Sequence, residues 1–148
     1  MRTIWLVEDD FDSRKSIRNA INDKSIEAKV IELTTEHEFR EQLNRVTDES
    51  NLPNLVILDI MLPWTKPMKN MPPEPDDVKE KGVYRAGARC EKLFREKQSL
   101  KGVPVIIYSN LQEDYLKHDV IWKSEKTYYL GKNVDITELQ LKIISLFK

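Results

Sequence analysis

Five short apolar runs recur along the chain: TIWLV (3 to 7), KVIEL (29 to 33), LVILDI (55 to 60), VPVIIYS (103 to 109) and TYYL (127 to 130). Runs of this length, rich in aliphatic, β-branched and aromatic residues, predict strands. Between and after them, apolar residues repeat at helical spacing. Ile17, Ala20 and Ile21 share a face in 13 to 22, and Phe39, Leu43 and Val46 do so in 36 to 46. Ala86, Cys90, Leu93 and Phe94 mark 83 to 97; Leu139, Ile143, Ile144 and Phe147 mark 135 to 147. Segment 111 to 119 is a helix candidate of weaker periodicity. Three of the five strands are apolar on both faces, which is stable only where helices cover both sides of a parallel sheet. Right-handed crossovers then place the helices alternately on the two faces.

The expected class is α/β: a flavodoxin-like, doubly wound, five-stranded parallel sheet in the order 2-1-3-4-5. A chain of 148 residues can bury one full core, so a single domain spanning 1 to 148 is expected. With 24 basic and 25 acidic side chains, the net charge of -1 gives no electrostatic drive toward nucleic acid or an anionic membrane. The N-terminal apolar segment is too short for a secretory signal and no stretch reaches membrane-span length, so a cytoplasmic protein is expected. One cysteine, Cys90, cannot form an internal disulfide and reads as a core residue; two distant histidines, His37 and His118, form no metal cluster and read as surface. The four glycines make no phosphate-binding loop.

In such sheets, function concentrates at the carboxyl ends of the strands. Those ends carry Glu8 and Asp9, then Asp59, Ser109 and Lys132. Three gathered carboxylates raise one another's pKa, and a hard cation such as Mg2+, which takes oxygen ligands, relieves the repulsion. Asp59, alone among aliphatic residues, suits a carboxylate nucleophile that attacks phosphorus; Lys132 and the Ser109 hydroxyl suit phosphoryl oxygens. Asp10 or Asp12 is expected to cap the following helix.

The segments WLVEDDFDSRKSI, LVILDIMLP, VPVIIYSN and YYLGK, in this order, resemble the receiver domain of two-component response regulators. The resemblance covers most of the chain except 63 to 82 and 111 to 126. It implies that Glu8, Asp9 and Asp59 hold Mg2+, Asp9 and Asp59 directly and Glu8 through water, with the Met61 backbone carbonyl as third direct protein ligand. It implies Asp59 as phosphoacceptor, Lys132 as its partner, Ser109 as the switch hydroxyl and Tyr129 as the switch aromatic. It further implies a signalling protein rather than a turnover enzyme, catalysing only its own phosphorylation and dephosphorylation. The expected donor is a histidine kinase or a histidine phosphotransfer protein. With the chain ending at Lys148 directly after the fifth helix, output is expected through a downstream protein target, and a phosphorylation-linked dimer is an open expectation. The alternative is a receiver-like interaction module regulated by binding rather than phosphorylation.

The departures from the family pattern are specific. Asn110 stands where a small residue is usual, which would narrow access to Asp59, and Asn133 stands where a proline usually follows the lysine. Met61 and Leu111 occupy positions where polar side chains assist hydrolysis of the phosphoryl group, so a long-lived phosphorylated form is expected. Residues 63 to 82 hold five of the seven prolines and read as a long inserted loop. Either it is a tolerated surface insertion, or Trp64, Met68 and Met71 make it a docking or site-covering element. Trp5, Trp64 and Trp122 read as packing residues, Trp64 being also placed to cover the mouth of the site.

Overall fold

The computed structural model describes residues 1–22, 26–110 and 124–148. Strands β1 (Arg2–Val7), β2 (Ala28–Leu33), β3 (Leu55–Leu58), β4 (Val105–Ser109) and β5 (Thr127–Gly131) form one sheet. Its order is β2-β1-β3-β4-β5 and every pairing is parallel, as expected.

Alternation along β1 shows why both faces need cover. Ile4 and Leu6 enter one core layer with Ile17 of α1 (Phe11–Ile21) and Leu139 of α5 (Ile136–Leu146). Trp5 and Val7 enter the other with Phe39 of α2 (Glu36–Asn44) and Phe94 of α4 (Ala86–Glu96). The Trp5 indole meets both rings edge-on, centroids 5.9 Å apart in each pair. A fully buried aromatic of this kind stabilises the fold by about 3–5 kcal/mol relative to alanine. Cys90 is fully buried in the same layer. Among the described residues no helix is long and apolar enough to cross a membrane.

The helices begin where local chemistry satisfies their first N–H groups. Asp10 caps α1, its Oδ2 accepting from the Ser13 N–H at 2.8 Å. Thr35 caps α2 through the Glu38 N–H, while the Glu38 carboxylate returns to accept from the Thr34 N–H at 2.7 Å, a reciprocal cap. Asp135 caps α5 one-sidedly, its Oδ1 accepting from the Thr137 N–H at 2.9 Å.

Some boundaries differ from expectation. β3 stops at Leu58, so Asp59 stands just past the strand, although its N–H still bonds the Val7 carbonyl at 3.0 Å. β4 starts after Pro104, which has no N–H for a ladder. A 3-10 turn, Val83–Arg85, precedes α4. The stretch expected to be a featureless loop contains a short helix, α3 (Asp76–Lys81). Pro75 precedes it, Asp76 and Asp77 face its positive end, Lys79 and Lys81 lie at its negative end, and Gly82 terminates it at φ 70°. The helix candidate at 111 to 119, with Leu111, His118 and Trp122, lies outside the described residues.

Candidate functional site

Sheet register brings the acids together. Val7 pairs with Leu58 across β1 and β3, so the next residues along, Glu8 and Asp59, emerge side by side at the carboxyl edge. Both are buried, whereas Asp9 is exposed. One carboxylate oxygen from each of the three lies within 4.8 Å of the others. Lys132 enters from the end of β5, its N–H bonded to the Ser109 carbonyl at 2.9 Å. Its ammonium donates to Asp59 Oδ2 at 2.9 Å and also to Glu8 Oε1. Asp59 Oδ1 accepts from the Ile60 N–H at 2.7 Å.

The electrostatics follow from two buried carboxylates sharing one ammonium. Burial pushes the Glu8 carboxyl up to about 7, and the neighbouring charge of Asp59 acts in the same direction. Burial draws the Lys132 ammonium down, but its hydrogen bond to Glu8 and the charge of Asp59 outweigh that and hold it above its ordinary value. Glu8 Oε2 is buried with no hydrogen-bond partner. A site with surplus acid and an unpartnered buried oxygen fits a hard cation, and its all-oxygen donor set suits Mg2+ or Mn2+ rather than a softer metal.

The residues open onto a cleft of about 690 Å3. Met61 and Asn110 line it, both exposed, so Asn110 forms part of the rim. Asn133 folds its side chain back over Gly131, and among the described residues no peptide bond is cis. Ser109 is buried at the end of β4 and does not line the cleft; Tyr129 is half-buried against the Trp5 layer of the core. Trp64 is not over the mouth. It is buried against α2, its ring edge-on to His37 at 5.2 Å and beneath the Arg40 guanidinium, and its indole N–H bonds the Pro72 carbonyl at 2.9 Å. Facing water over the cleft, the indole would have left this apolar area unburied. His37 is accordingly half-buried rather than fully on the surface.

Two contributors had no place in the sequence reading. Arg14 donates to the Glu8 and Asp9 carbonyls at 3.1 and 2.7 Å, fixing the turn that presents both acids. Gly87, on the first turn of α4, donates its N–H to the Ile60 carbonyl at 2.8 Å and lies directly against the Asp59–Ile60 backbone. A glycine inside a helical pattern was a sequence signal for close approach; nothing in the pattern said to what.

No protein-family model matches the chain, and no curated protein matches it. Solved structures do. The phosphorylated cyanobacterial phytochrome response regulator RcpA is 18% identical, with 98% of this chain and 90% of that one covered at a TM-score of 0.69. The Mn(2+)-bound form of the response regulator Rcp1 is 19% identical, with 99% and 91% covered at 0.68. A signal receiver domain from Clostridium thermocellum is 19% identical, with 99% and 98% covered at 0.72. The strand order, the helices on both sheet faces and these superpositions agree: the chain has the fold of the response regulator receiver domains.

Proposed function

We propose that the chain is a phosphoacceptor signalling domain that takes a phosphoryl group onto Asp59 from a phosphohistidine of a kinase or phosphotransfer protein. The observation that carries this reading is the convergence of Glu8, Asp9 and Asp59 within 4.8 Å, with the Lys132 ammonium donating to two of them. Asp59 Oδ1 is committed to the Ile60 N–H, so Oδ2 is assigned to the attack. The new O–P bond forms as the P–N bond of the donor breaks, and the imidazole leaves with that electron pair and takes up a proton. Lys132, released from Oδ2, stays beside the transferred group and pairs with one of its oxygens. Glu8, Asp9, Asp59 and the Met61 carbonyl would hold Mg2+. Bound there, the cation would neutralise charge on the equatorial phosphoryl oxygens. Ser109 and Tyr129 are assigned to the conformational response that follows, read by a downstream protein target.

The test is intact-mass analysis after incubation with Mg2+ and phosphoramidate, a small P–N donor, with Asp59→Ala as control. A phosphoryl adduct that requires Mg2+ and is absent from the variant is expected. Absence of an adduct with both phosphoramidate and phosphohistidine-protein donors would overturn the proposal in favour of a module of the same fold regulated by binding.

A further inference from the structure

The segment leaving β3 is held along its length by other elements. Gly87 donates to the Ile60 carbonyl, the Leu62 N–H reaches the Val83 carbonyl at 3.4 Å, and the first N–H groups of α2 take the next two carbonyls. Glu36 N–H bonds Pro63 at 2.9 Å and His37 N–H bonds Trp64 at 3.0 Å. Among the described residues no backbone bond takes up the Met61 carbonyl, and Met61 lines the same cleft as the carboxylates.

What fixes the donors is a buried ion network. The Glu36 carboxylate is 0% exposed, a costly place for a charge unless its lone pairs are filled. Arg89 of α4 binds it with both prongs, Nε to Oε2 at 3.0 Å and Nη2 to Oε1 at 2.7 Å. Arg40 of α2 adds a bond to Oε2 at 2.8 Å and extends to Asp77 of α3 at 2.9 Å. Two guanidinium groups and two carboxylates thus balance in charge and join α2, α4 and the inserted segment. Arg89 lies two residues after Gly87, and Glu36 is itself the donor to Pro63. Hence the same helix ends that carry the network grip the backbone on either side of Met61.

We propose that Glu36 is a positioning residue for the metal site: with Arg89 and Arg40 it locks the ends of α2 and α4 that aim the Met61 carbonyl. The inserted segment, through Asp77, is part of this brace rather than a free surface loop. The inference rests on the metal-dependent reading of the Glu8, Asp9 and Asp59 cluster.

The test measures Mn2+ affinity of the full chain from the electron paramagnetic resonance signal of free Mn2+, with circular dichroism and urea unfolding reporting the folded fraction. Glu36→Gln, studied where it is folded, is expected to bind Mn2+ about tenfold more weakly, as loss of an outer positioning partner does at metal sites. Arg89→Lys keeps the charge but not the fork and is expected to weaken binding too. Arg40→Gln, at the partly exposed edge of the network, is expected to fold and show a smaller loss in the same direction. Mn2+ affinities within twofold of wild type for folded Arg40→Gln and Arg89→Lys, alongside lowered urea midpoints, would overturn the inference and leave a purely structural brace. Failure of the wild-type chain itself to bind Mn2+ would instead overturn the metal-dependent reading on which the inference rests.

Discussion

Replacing Gly87 by alanine tests how closely the site depends on helix packing. A Cβ at this position would stand 2.4 Å from the Asp59 carbonyl oxygen, 2.6 Å from Ile60 Cα and 3.0 Å from the Asp59 carbonyl carbon. All three are backbone atoms, so no side chain can swing away. Ordinary contact begins near 3.4 Å, so the backbone beside Asp59 must retreat by about 1 Å. It is not free to do so, because the Asp59 N–H is tied to Val7 and the Ile60 carbonyl to Gly87 itself. Overpacking of this kind costs about 1–3 kcal/mol. Alanine returns only part of its helix-propensity advantage of about 1 kcal/mol, since position 87 lies in the first turn of α4. A net loss of about 1–2 kcal/mol follows, which for a chain of this size lowers Tm by about 2–8 °C. A retreat of that size also breaks the 2.9 Å bond between Lys132 and Asp59, so Mn2+ affinity and the rate of Asp59 phosphorylation should both fall. Urea unfolding followed by tryptophan fluorescence, together with a Mn2+ titration, reads both effects. Gly102→Ala is the control, because nothing lies within 4 Å of a Cβ at that exposed turn. If Gly87→Ala matched Gly102→Ala in stability and metal affinity, the close approach would have no functional consequence and the reasoning would be refuted.

Three further outcomes follow from the same geometry. Glu8 has a folded-state pKa raised from 4.5 to about 7, so the stability tied to its neutral form is complete below pH 4.5 and is lost as pH rises through 7. Without divalent cation, Glu8→Gln should therefore overtake wild type in urea resistance by about 3 kcal/mol between pH 4.5 and pH 8, and saturating Mg2+ should reverse that advantage; a wild type that gains on the variant with rising pH in metal-free buffer would contradict this. Met61 presents an apolar thioether to the cleft and cannot orient water, so Met61→Asn should shorten the lifetime of the phosphorylated form by about tenfold, measured by intact mass after donor removal. Cys90 is fully buried and burial holds its thiol well above the ordinary range, so iodoacetamide labelling should require unfolding and track the urea transition; rapid labelling of the native chain would disprove that burial.

Much of the fold was legible because it is written in short-range patterns. The apolar runs of β1, β3 and β4, each two-sided, could be stable only under two helix layers. Of the two aspartates expected to cap the first helix, Asp10 does so, and Thr35 and Asp135 cap α2 and α5 by the same short-range chemistry although nothing in the sequence reading had assigned them. The insertion was legible as a break in the pattern, yet its helix α3 was not, being six residues long and anchored mainly by Val78 and by the Arg40–Asp77 pair. Trp64 is a packing residue, as read, but it lies under α2 rather than over the cleft, because a tryptophan beside a proline carries no record of which helix will roof it.

The amino-acid sequence by itself determined the chain's class, the alternation that orders its sheet and the acids that a parallel sheet must bring to one edge, since these depend on periodicity and strand direction alone. Tertiary structure decided the rest: that Lys132 bridges Asp59 and Glu8 across 73 and 124 residues of sequence, that Arg14 clamps the acid turn, and that Gly87 and Glu36 grip the backbone beside Met61. The physical reason is range. Hydrogen-bonding geometry and close packing are set by atoms within a few ångströms in space, whatever their separation along the chain.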